Sequence, residues 1–357
     1  MSDFSRLLWR GPRLGVALGV SFTAVLTLLF LFQAHARAAH IITGAFNCGT
    51  FADGVAYTPE GRTMAPMVPP RDSDSPVITK SLAIMGGWTR LDFSNCPPEN
   101  QNENNNALVT GTQGLLDAGF DYVAPITRSE LNSSGGPIAS FDLTNKEVLI
   151  EHMIWADNNG QSTDQGAGVW AEVKAGSAVR INNTLFEFNE TDNGTADSGG
   201  GLYLYLNDNA TVTIEDSQFD QNWSGRGGGL YAEVRQNSHL LIERTQFTQN
   251  GGYSGGGLYL YVDATSQVTL REVVFSQNYN QLVNNNGGAI YLVVEEGGRV
   301  NILDSTFDSN NGGAMGGAIY GELNGGELFI GVPISSTTMP AIWAVPLTEN
   351  GSPNTPT

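Results

Sequence analysis

Acidic and basic side chains recur at a fixed interval along this chain, and their spacing could support acid–base chemistry. Glu243 and Arg244 follow Glu215 and Asp216 at this interval, and Arg271 follows Glu243 at the same interval. A glycoside hydrolase needs two carboxyl groups about 5–10 Å apart, and a calcium-dependent polysaccharide lyase needs clustered carboxylates with a cationic base. The arginines beside these carboxylates favour solvated ion pairs over a catalytic centre.

Aromatic side chains form a second periodic set, and their chemistry is that of a binding surface. They follow an apolar residue in a recurring segment, with carboxylates two positions further on in several copies. A stripe of this kind could stack on sugar rings or meet a partner protein. The alternative is that the rings pack only against one another along the array. The six residues are Trp170, Tyr203, Tyr231, Tyr259, Tyr291 and Tyr320.

The sequence contains no pattern typical of a metal site or of a phosphate-binding loop. The four histidines, at positions 35, 40, 152 and 239, do not have the spacing of a zinc site. The Gly-Gly blocks are followed by neither Lys-Ser/Thr nor a helix, so they do not form a phosphate-binding loop. We therefore expect no metal and no cofactor.

The elements that must position these side chains are internal repeats. A Phe-x-x-Asn motif occurs five times, and each copy precedes a Gly-Gly/Ala-Leu/Ile-Tyr block. A period of about 30 residues with interspersed glycine indicates stacked structural units. The intervals are unequal, since the two central ones are shorter than the first and the last. The five motifs are Phe186/Asn189, Phe219/Asn222, Phe247/Asn250, Phe275/Asn278 and Phe307/Asn310.

Each repeat reads as one coil of two or three short strands. Residues 258–262 alternate between aliphatic and tyrosine side chains, which predicts a half-buried strand, and residues 268–271 form a second one. A propeller blade needs about 40–45 residues, more than one repeat contains. The sequence therefore predicts an all-β fold, a right-handed parallel β-helix with coils of about 28–33 residues, in which each coil is stable only against its neighbours.

The repeated Phe and Asn residues are interpreted as structural ladders. An asparagine at a turn can hydrogen-bond its own backbone and the identical amide one coil away. The Gly-Gly pairs are expected to supply positive φ or a close approach between coils. We prefer these roles to a ligand site.

The chain divides into four predicted regions. Residues 1–38 have a basic start, an apolar run and Ala-x-Ala sites, which is the pattern of a signal peptide; a retained membrane anchor is the alternative. Residues 39–147 are predicted as a capping region with irregular early coils, residues 148–330 as the β-helix repeat array, and residues 331–357 as a Pro-rich tail or cap. The mature chain is expected to be exported to the extracellular side or the cell envelope and not to span a membrane.

Three segments outside the array have specific predictions. Val77 to Ile84 alternates like a strand and is interpreted as an early coil, and the weak pattern between Ala107 and Ser140 predicts a long excursion from the stack. At the other end, Met339 to Leu347 either folds back as an apolar lid or leaves an exposed sheet edge.

Charge and cysteine content restrict the partners and the compartment. A net charge of −19 disfavours binding to nucleic acid and to anionic lipid. The two cysteines, Cys48 and Cys96, both precede the repeats. Export favours a disulfide between them, with two free thiols as the alternative.

The double motif resembles that of a known family. Gly287 to Tyr291 and Gly316 to Tyr320 both read Gly-Gly-Ala-Ile-Tyr, and together with Phe-x-x-Asn they resemble the repeat of the chlamydial polymorphic outer membrane proteins. The resemblance covers residues 148–330. It implies a parallel β-helix displayed at the cell surface, with adhesion as the usual role.

These observations favour a non-catalytic protein. We expect an exported cell-surface or secreted β-helix repeat protein that acts in adhesion, in ligand binding or as a structural module, with surface glycans or partner proteins as its ligands. The alternative is a polysaccharide lyase or glycoside hydrolase of the pectate-lyase-like class, although a shared coil architecture alone is a weak argument for activity.

Overall fold

The structure is a computed structural model. It describes residues 41–43, 55, 60–64, 71–72, 77–85, 88–90, 108–110, 120–122, 129–132, 139–160, 165–191, 194–281, 286–331 and 342–346. The chain divides into two compact units, Met1–His40 and Ile41–Thr357. The predicted signal peptide, Cys48 and Cys96 lie outside the described residues. No helix among the described residues is long and apolar enough to cross a membrane.

The second unit is a parallel β-helix, as the repeats predict. Successive coils pair in register, so that Leu202 pairs with Leu230, Leu230 with Leu258, and Leu258 with Ile290. All four side chains are fully buried in one continuous apolar core. Like side chains therefore form columns along the axis of the array, and the fold class is confirmed.

Sheet A contains the strands that follow the Gly-Gly blocks. It has nine strands, and the column of Trp170 and the tyrosines lies on it. In order the strands are Val77–Ile78, Ala139–Thr144, Val169–Lys174, Leu202–Leu206, Leu230–Val234, Leu258–Val262, Ile290–Glu295, Ile319–Asn324 and Ile342–Pro346.

Sheet B contains the second strand of each coil and has eleven strands. Its first strand pairs antiparallel with the next, and the other pairs are parallel. In order the strands are Leu108–Thr110, Ile41–Thr43, Arg62–Met64, Leu82–Met85, Glu147–Glu151, Ala178–Asn182, Thr211–Glu215, His239–Glu243, Gln267–Arg271, Arg299–Leu303 and Glu327–Gly331.

Sheet C contains the Phe-x-x-Asn segments and has eight strands. Most of these strands are very short because the motif turns at its asparagine. The strands are Arg71–Asp72, Ser129–Asn132, Met153–Ala156, Leu185–Glu187, Gln218–Asp220, Gln246–Thr248, Val274–Ser276 and Thr306–Asp308.

Sheet D contains five short strands that follow the motif asparagines. They are Asn159–Gly160, Glu190–Thr191, Trp223–Arg226, Gly251–Ser254 and Tyr279–Asn280. A central coil therefore has four strands, and the expectation of two or three was wrong. Strands this short show no alternation that the sequence could reveal, and the neighbouring coils supply their hydrogen bonds.

The early coils join the same stack. Val77–Ile78 and Leu82–Met85 pair parallel with the coil that follows, which confirms the early coil. The third strand of that coil is Ser129–Asn132, so the excursion is inserted within a single coil. Within the predicted excursion, Phe120–Tyr122 pairs antiparallel with Trp88–Arg90, whereas Ser129–Asn132 belongs to the stack, so the excursion is shorter than predicted.

The stack also continues beyond the last motif. Ile342–Pro346 pairs parallel with Ile319–Asn324 and extends sheet A by one strand. The described part of the predicted lid, residues 342–346, therefore adds a strand to the array. Phe329 on the last strand of sheet B is 58% exposed.

The corners between sheets use the left-handed region of the backbone. Gly227 and Gly255 have φ near +60°, in agreement with the expected role of the Gly-Gly pairs. Residues other than glycine adopt positive φ at two further corners of each coil. After sheet B these are Asn183, Asp216, Arg244, Glu272 and Asp304, and before the motif asparagine they are Phe188, Gln221, Gln249, Gln277 and Ser309.

Candidate functional site

The six aromatic residues predicted as a binding stripe form one continuous stacked column on sheet A. The rings of Tyr203, Tyr231, Tyr259 and Tyr291 lie 5.0–5.1 Å apart between centroids, with interplanar angles of at most 12°. Trp170 begins the column 6.4 Å from Tyr203. The last ring, Tyr320, lies 5.0 Å from Tyr291 and is tilted by 38°.

This stacking changes what the column can offer a ligand. The faces of the inner rings are covered by their neighbours, and Tyr203 and Tyr231 are only 8% and 5% exposed. The rings therefore pack against one another along the array, which is the alternative given in the sequence analysis. The inner rings present their edges outward. Sugar stacking on ring faces is restricted to the two ends of the column.

Burial controls the acidity of these phenols. It raises the pKa of Tyr203 to about 12, with a further contribution from the charge of Glu233. Burial also raises the pKa of Tyr231 far above its usual value, and the hydrogen bond from its hydroxyl to Glu233 (2.6 Å) adds to the shift. The pKa of Tyr291 is raised in the same way, through burial and its hydrogen bond to Glu322. The column is therefore neutral at physiological pH.

Cations pair with three of the carboxylates beside the column, those of Asp142, Glu172 and Glu233. Arg235 pairs with Glu233 at 2.8 Å, and its guanidinium lies 4.3 Å from the ring centroid of Tyr261. Lys174 contacts both Asp142 and Glu172 at 3.1 Å. Sheet A therefore presents a surface of phenol edges and paired charges.

The carboxylates with hydrolase-like spacing form an ion-pair network at the end of sheet B. Arg244 contacts Glu215 at 3.0 Å, Asp216 at 2.8 Å and Glu243 at 3.0 Å. Glu243 also accepts from Arg271 at 2.6 Å. Glu215 pairs in addition with Arg180. This is the cross-coil ion pairing that the sequence favoured, and hydrogen bonding to Asp216 raises the pKa of Arg244 above its usual value.

The motif phenylalanines form a column inside the array. All of them are buried, and successive rings stack at 4.7–5.1 Å between centroids. The column is therefore part of the apolar core and offers no surface to a ligand. Its members are Phe186, Phe219, Phe247, Phe275 and Phe307.

The motif asparagines form a second internal column beside the phenylalanines. Each amide bonds to the amide of the next coil, as the ladder hypothesis requires, with Nδ2–Oδ1 distances of 2.9–3.0 Å. The ladder ends at Asn310, whose Oδ1 accepts both the backbone N–H and Nδ2 of Asn278. The buried members are Asn189, Asn222, Asn250, Asn278 and Asn310.

The backbone partners of these amides differ from the expectation. We expected each asparagine to bond the backbone of its own turn, and that part was wrong. Nδ2 of Asn278 donates to the carbonyl of Phe247 at 2.8 Å, and Nδ2 of Asn310 donates to that of Phe275 at 2.9 Å. Because Nδ2 carries two N–H groups, one can reach the next amide while the other reaches back to the preceding coil. The ladder therefore connects coils to each other and does not close single turns.

A second group of aromatic residues lies on sheet D, and no repeated motif marks it. Trp223 and Tyr253 meet edge to face, with centroids 5.4 Å apart at 84°. Tyr279 follows Trp223 in the same column, one coil beyond Gly251, and is 40% exposed. A Cβ at Gly251 would lie 2.5 Å from Cζ of Tyr279 and 2.8 Å from Cδ1 of Trp223. The missing side chain therefore lets both rings lie against the backbone.

Arg226 ends the Trp223 strand and lies near the tyrosine column. Its guanidinium carbon is 5.9 Å from the ring centroid of Tyr259. Its backbone N–H donates to the carbonyl of Asp197 at 2.8 Å. The sequence does hold one signal for this corner. The connection from sheet D back to sheet A is short in the two coils that have the shorter interval between motifs. The unequal motif intervals in the sequence therefore indicate which coils have the short connection.

No metal site is formed by the part of the chain that the structure describes. Within it, no group of three or more His, Cys, Asp or Glu side chains is arranged to hold a metal ion. The disulfide between Cys48 and Cys96 stays a prediction, since both residues lie outside the described part.

Comparison with known proteins supports the fold. Residues 157–324 match a family model described as a right-handed β-helix region. Comparisons with curated proteins and with solved structures found no similar protein. The β-helix is a fold used both by pectate-lyase-like enzymes and by surface repeat proteins, so function has to be argued from the side chains.

Proposed function

We propose that this right-handed β-helix repeat protein is an exported, non-catalytic module that binds glycans at the cell exterior. The observation that carries the proposal is the column of six aromatic rings on sheet A, of which Tyr203 to Tyr320 stack at about 5 Å along the array. A regular surface with one chemical group per coil suits an extended ligand that is itself a repeating chain.

The outward edges of these rings provide the polar contacts that a glycan needs. Tyr231 and Tyr291 hold their hydroxyls toward Glu233 and Glu322. Carboxylates of this kind accept hydrogen bonds from sugar hydroxyls. The apolar ring edges beside them lie against the less polar parts of a sugar. Because the column is packed in the unbound protein, binding requires little ordering of side chains.

The polar chemistry of sheet B supports a non-catalytic role. Glu215 and Glu243, the residues with the spacing of a carboxylate pair, are only 12% and 13% exposed and lie against Arg244. Guanidinium groups from neighbouring coils already contact the oxygens of both carboxylates. This arrangement favours an ion-pair network over a catalytic pair.

Export and surface display rest on the sequence. Residues 1–38 have the composition of a signal peptide. The Phe-x-x-Asn and Gly-Gly-Ala-Ile-Tyr motifs resemble those of the polymorphic outer membrane proteins, whose usual role is adhesion. Both features support a site of action outside the cytoplasm.

The experiment is a glycan array followed by titration of the ligands that bind, with wild type and the double variant Tyr259→Phe/Tyr291→Phe. The variant keeps the stacked rings and removes two hydroxyl edges, so folding should be preserved while affinity for an extended glycan falls several-fold. Equal affinity would show that the column is only a scaffold. If the chain binds a cell-surface protein and no glycan, the ligand is a protein and the proposed glycan ligand is wrong.

Polysaccharide cleavage is the second candidate, and the adjacency of Glu215 and Glu243 is the observation that favours it. The test is incubation with acidic and neutral polysaccharides, measuring both reducing ends and the absorbance of unsaturated products. Release that disappears in Glu243→Gln would overturn the non-catalytic proposal.

A further inference from the structure

We propose that the corner between sheet D and sheet A binds a sugar that carries a carboxylate, with Trp223 and Tyr253 as the stacking surface and Arg226 as the cation. This inference rests on the proposed glycan-binding function and gives it a ligand class and a site. The site differs from the tyrosine column, because its rings are arranged edge to face.

The two aromatic rings of the site lie at the surface and are arranged differently from those of the tyrosine column. Trp223 and Tyr253 cross at 84°, so the two rings are not stacked face to face, in contrast to Tyr231 between Tyr203 and Tyr259. Both side chains are half-buried at the protein surface. Aromatic side chains with an open face are the usual platform for the apolar side of a sugar ring.

Tyr279 extends this platform by one coil. Its ring lies over Gly251, since a Cβ at Gly251 would come within 2.5 Å of its Cζ. Tyr279 is 40% exposed. The rings of Trp223 and Tyr279 therefore both lie against the backbone at Gly251, a residue without a side chain.

Arg226 supplies the charge, and the second observation is that no carboxylate of the described residues pairs with it. The other lysines and arginines of the described chain from Lys146 onward each lie within 4.0 Å of a carboxylate. Within the described residues, the Arg226 guanidinium contacts the ring of Tyr259 and no carboxylate. In a protein with a net charge of −19, a cation that contacts no carboxylate of the described residues is suited to an anion from outside.

The chemistry of the guanidinium selects the kind of anion. Arginine presents a planar fork of donors that matches the two oxygens of a carboxylate. Its stem is held at the corner by the ring of Tyr259 and by the hydrogen bond from its backbone N–H to Asp197. A uronic acid combines a ring that can stack on Trp223 with a carboxylate that can reach Arg226.

The connection at this corner is short in the two coils that form the site. Three positions separate Trp223 from Arg226, and Gly251 from Ser254, on the two coils of the site. The preceding coil uses eight positions, from Glu190 to Ser198. Part of that longer connection, residues 194–197, lies against Gly225, where a Cβ would overlap the Gly194 carbonyl oxygen. The site is thus bordered by residues 194–197 on one side and by Tyr279 on the other.

The experiment is calorimetric titration of the full chain with an oligomer of a uronic acid and with the same oligomer after reduction of its carboxyl groups. We expect Arg226→Gln to weaken binding of the acidic oligomer at least tenfold and to leave binding of the reduced oligomer unchanged. Arg226→Lys should restore part of the loss, and Trp223→Ser should weaken both ligands. Arg244→Gln is the matched control, since it removes an ion-paired arginine from another face.

The outcomes separate the site from the function. If the wild type binds the acidic oligomer and both Arg226→Gln and Trp223→Ser bind it equally well, the site is wrong and glycan binding stands. If the wild type binds the acidic and reduced oligomers with the same affinity, the assignment to a carboxylate is wrong. If no glycan binds the wild type, the proposed function fails and this inference fails with it. Thermal unfolding of each variant shows whether a lost affinity reflects lost structure.

Discussion

Nδ2 of Asn222 donates a hydrogen bond to Oδ1 of Asn250 at 3.0 Å, and the same oxygen accepts the backbone N–H of Asn222 at 3.0 Å. Nδ2 of Asn222 also donates to the carbonyl of Phe186 at 2.9 Å. One buried amide therefore connects three successive coils. Because these groups have no access to water, each depends on the next amide in the column.

Replacing Asn250 by leucine should destabilise the array. The variant removes the acceptor of the Asn222 N–H and the donor to the Phe219 carbonyl. A buried group left without a partner costs about 1–3 kcal/mol. The measurement is denaturant unfolding followed by circular dichroism. Gln246→Leu is the control, because Gln246 is an exposed amide on the adjacent strand; equal stability of the two variants would contradict the ladder.

The phenylalanine column gives a second test. Phe247 is fully buried and stacks on Phe219 at 4.7 Å and on Phe275 at 4.8 Å. Phe247→Ala should therefore cost about 3–5 kcal/mol of unfolding free energy.

Phe188 provides the matched control for this substitution. It is 47% exposed and lies beside the ladder asparagine Asn189. Phe188→Ala should change stability by no more than about 0.5 kcal/mol. A comparable loss in both variants, measured by the same unfolding experiment, would show that burial in the column is not the source of the effect.

The columns that the sequence could predict are those with repeated side chains. Leu202, Leu230 and Leu258 lie at equal positions of equal motifs, so periodicity alone places them in one buried column. The column in sheet D contains Glu190, Trp223, Gly251 and Tyr279 in succession. No shared residue type marks that column, and only the hydrogen bonds between coils define its strands.

The same distinction applies to the candidate sites. The tyrosine column was predicted because its members repeat, yet the sequence could not show whether ring faces or ring edges are exposed. That depends on side-chain torsions, which bring Tyr231 and Tyr259 to 5.0 Å and 12°. The Arg226 corner does not repeat at all, since Ser198 and Ser254 occupy its position in the adjacent coils.

Two adjacent glycines should differ in their tolerance of alanine. At Gly256 a Cβ would lie 2.5 Å from the carbonyl oxygen of Tyr279 and 2.8 Å from that of Asn250. At Gly257 it would meet the carbonyl oxygen of Ala289 at 2.8 Å, and its other contacts are at 3.2 Å. Ala289 and Ala318 occupy the position of Gly257 in the following coils.

We therefore expect Gly256→Ala to lower the melting temperature more than Gly257→Ala does. The backbone oxygens at Gly256 belong to two coils that are fixed by the ladder, so the added methyl group would have to separate them. Thermal unfolding of the two variants in parallel is the measurement. A larger drop in melting temperature for Gly257→Ala than for Gly256→Ala would mean that the coils can shift apart at Gly256.

The stability of the array should fall at high pH because of the tyrosine column. Burial raises the pKa of Tyr203 to about 12, above the unfolded value of about 10. The unfolded chain therefore loses this proton first as the pH rises. The contribution of Tyr203 is complete below pH 10 and is lost progressively up to about pH 12. Tyr203→Phe keeps the ring and removes the ionisable group.

Denaturant unfolding of wild type and Tyr203→Phe at a series of pH values from 8 to about 12 tests this. The variant should lose less stability across the alkaline range than the wild type, with no difference in slope below pH 9. Ultraviolet absorbance of the ionised phenol gives an independent measure, since one fewer tyrosine should titrate late. Parallel stability curves for the two proteins would show that Tyr203 ionises as freely in the folded state as in the unfolded state.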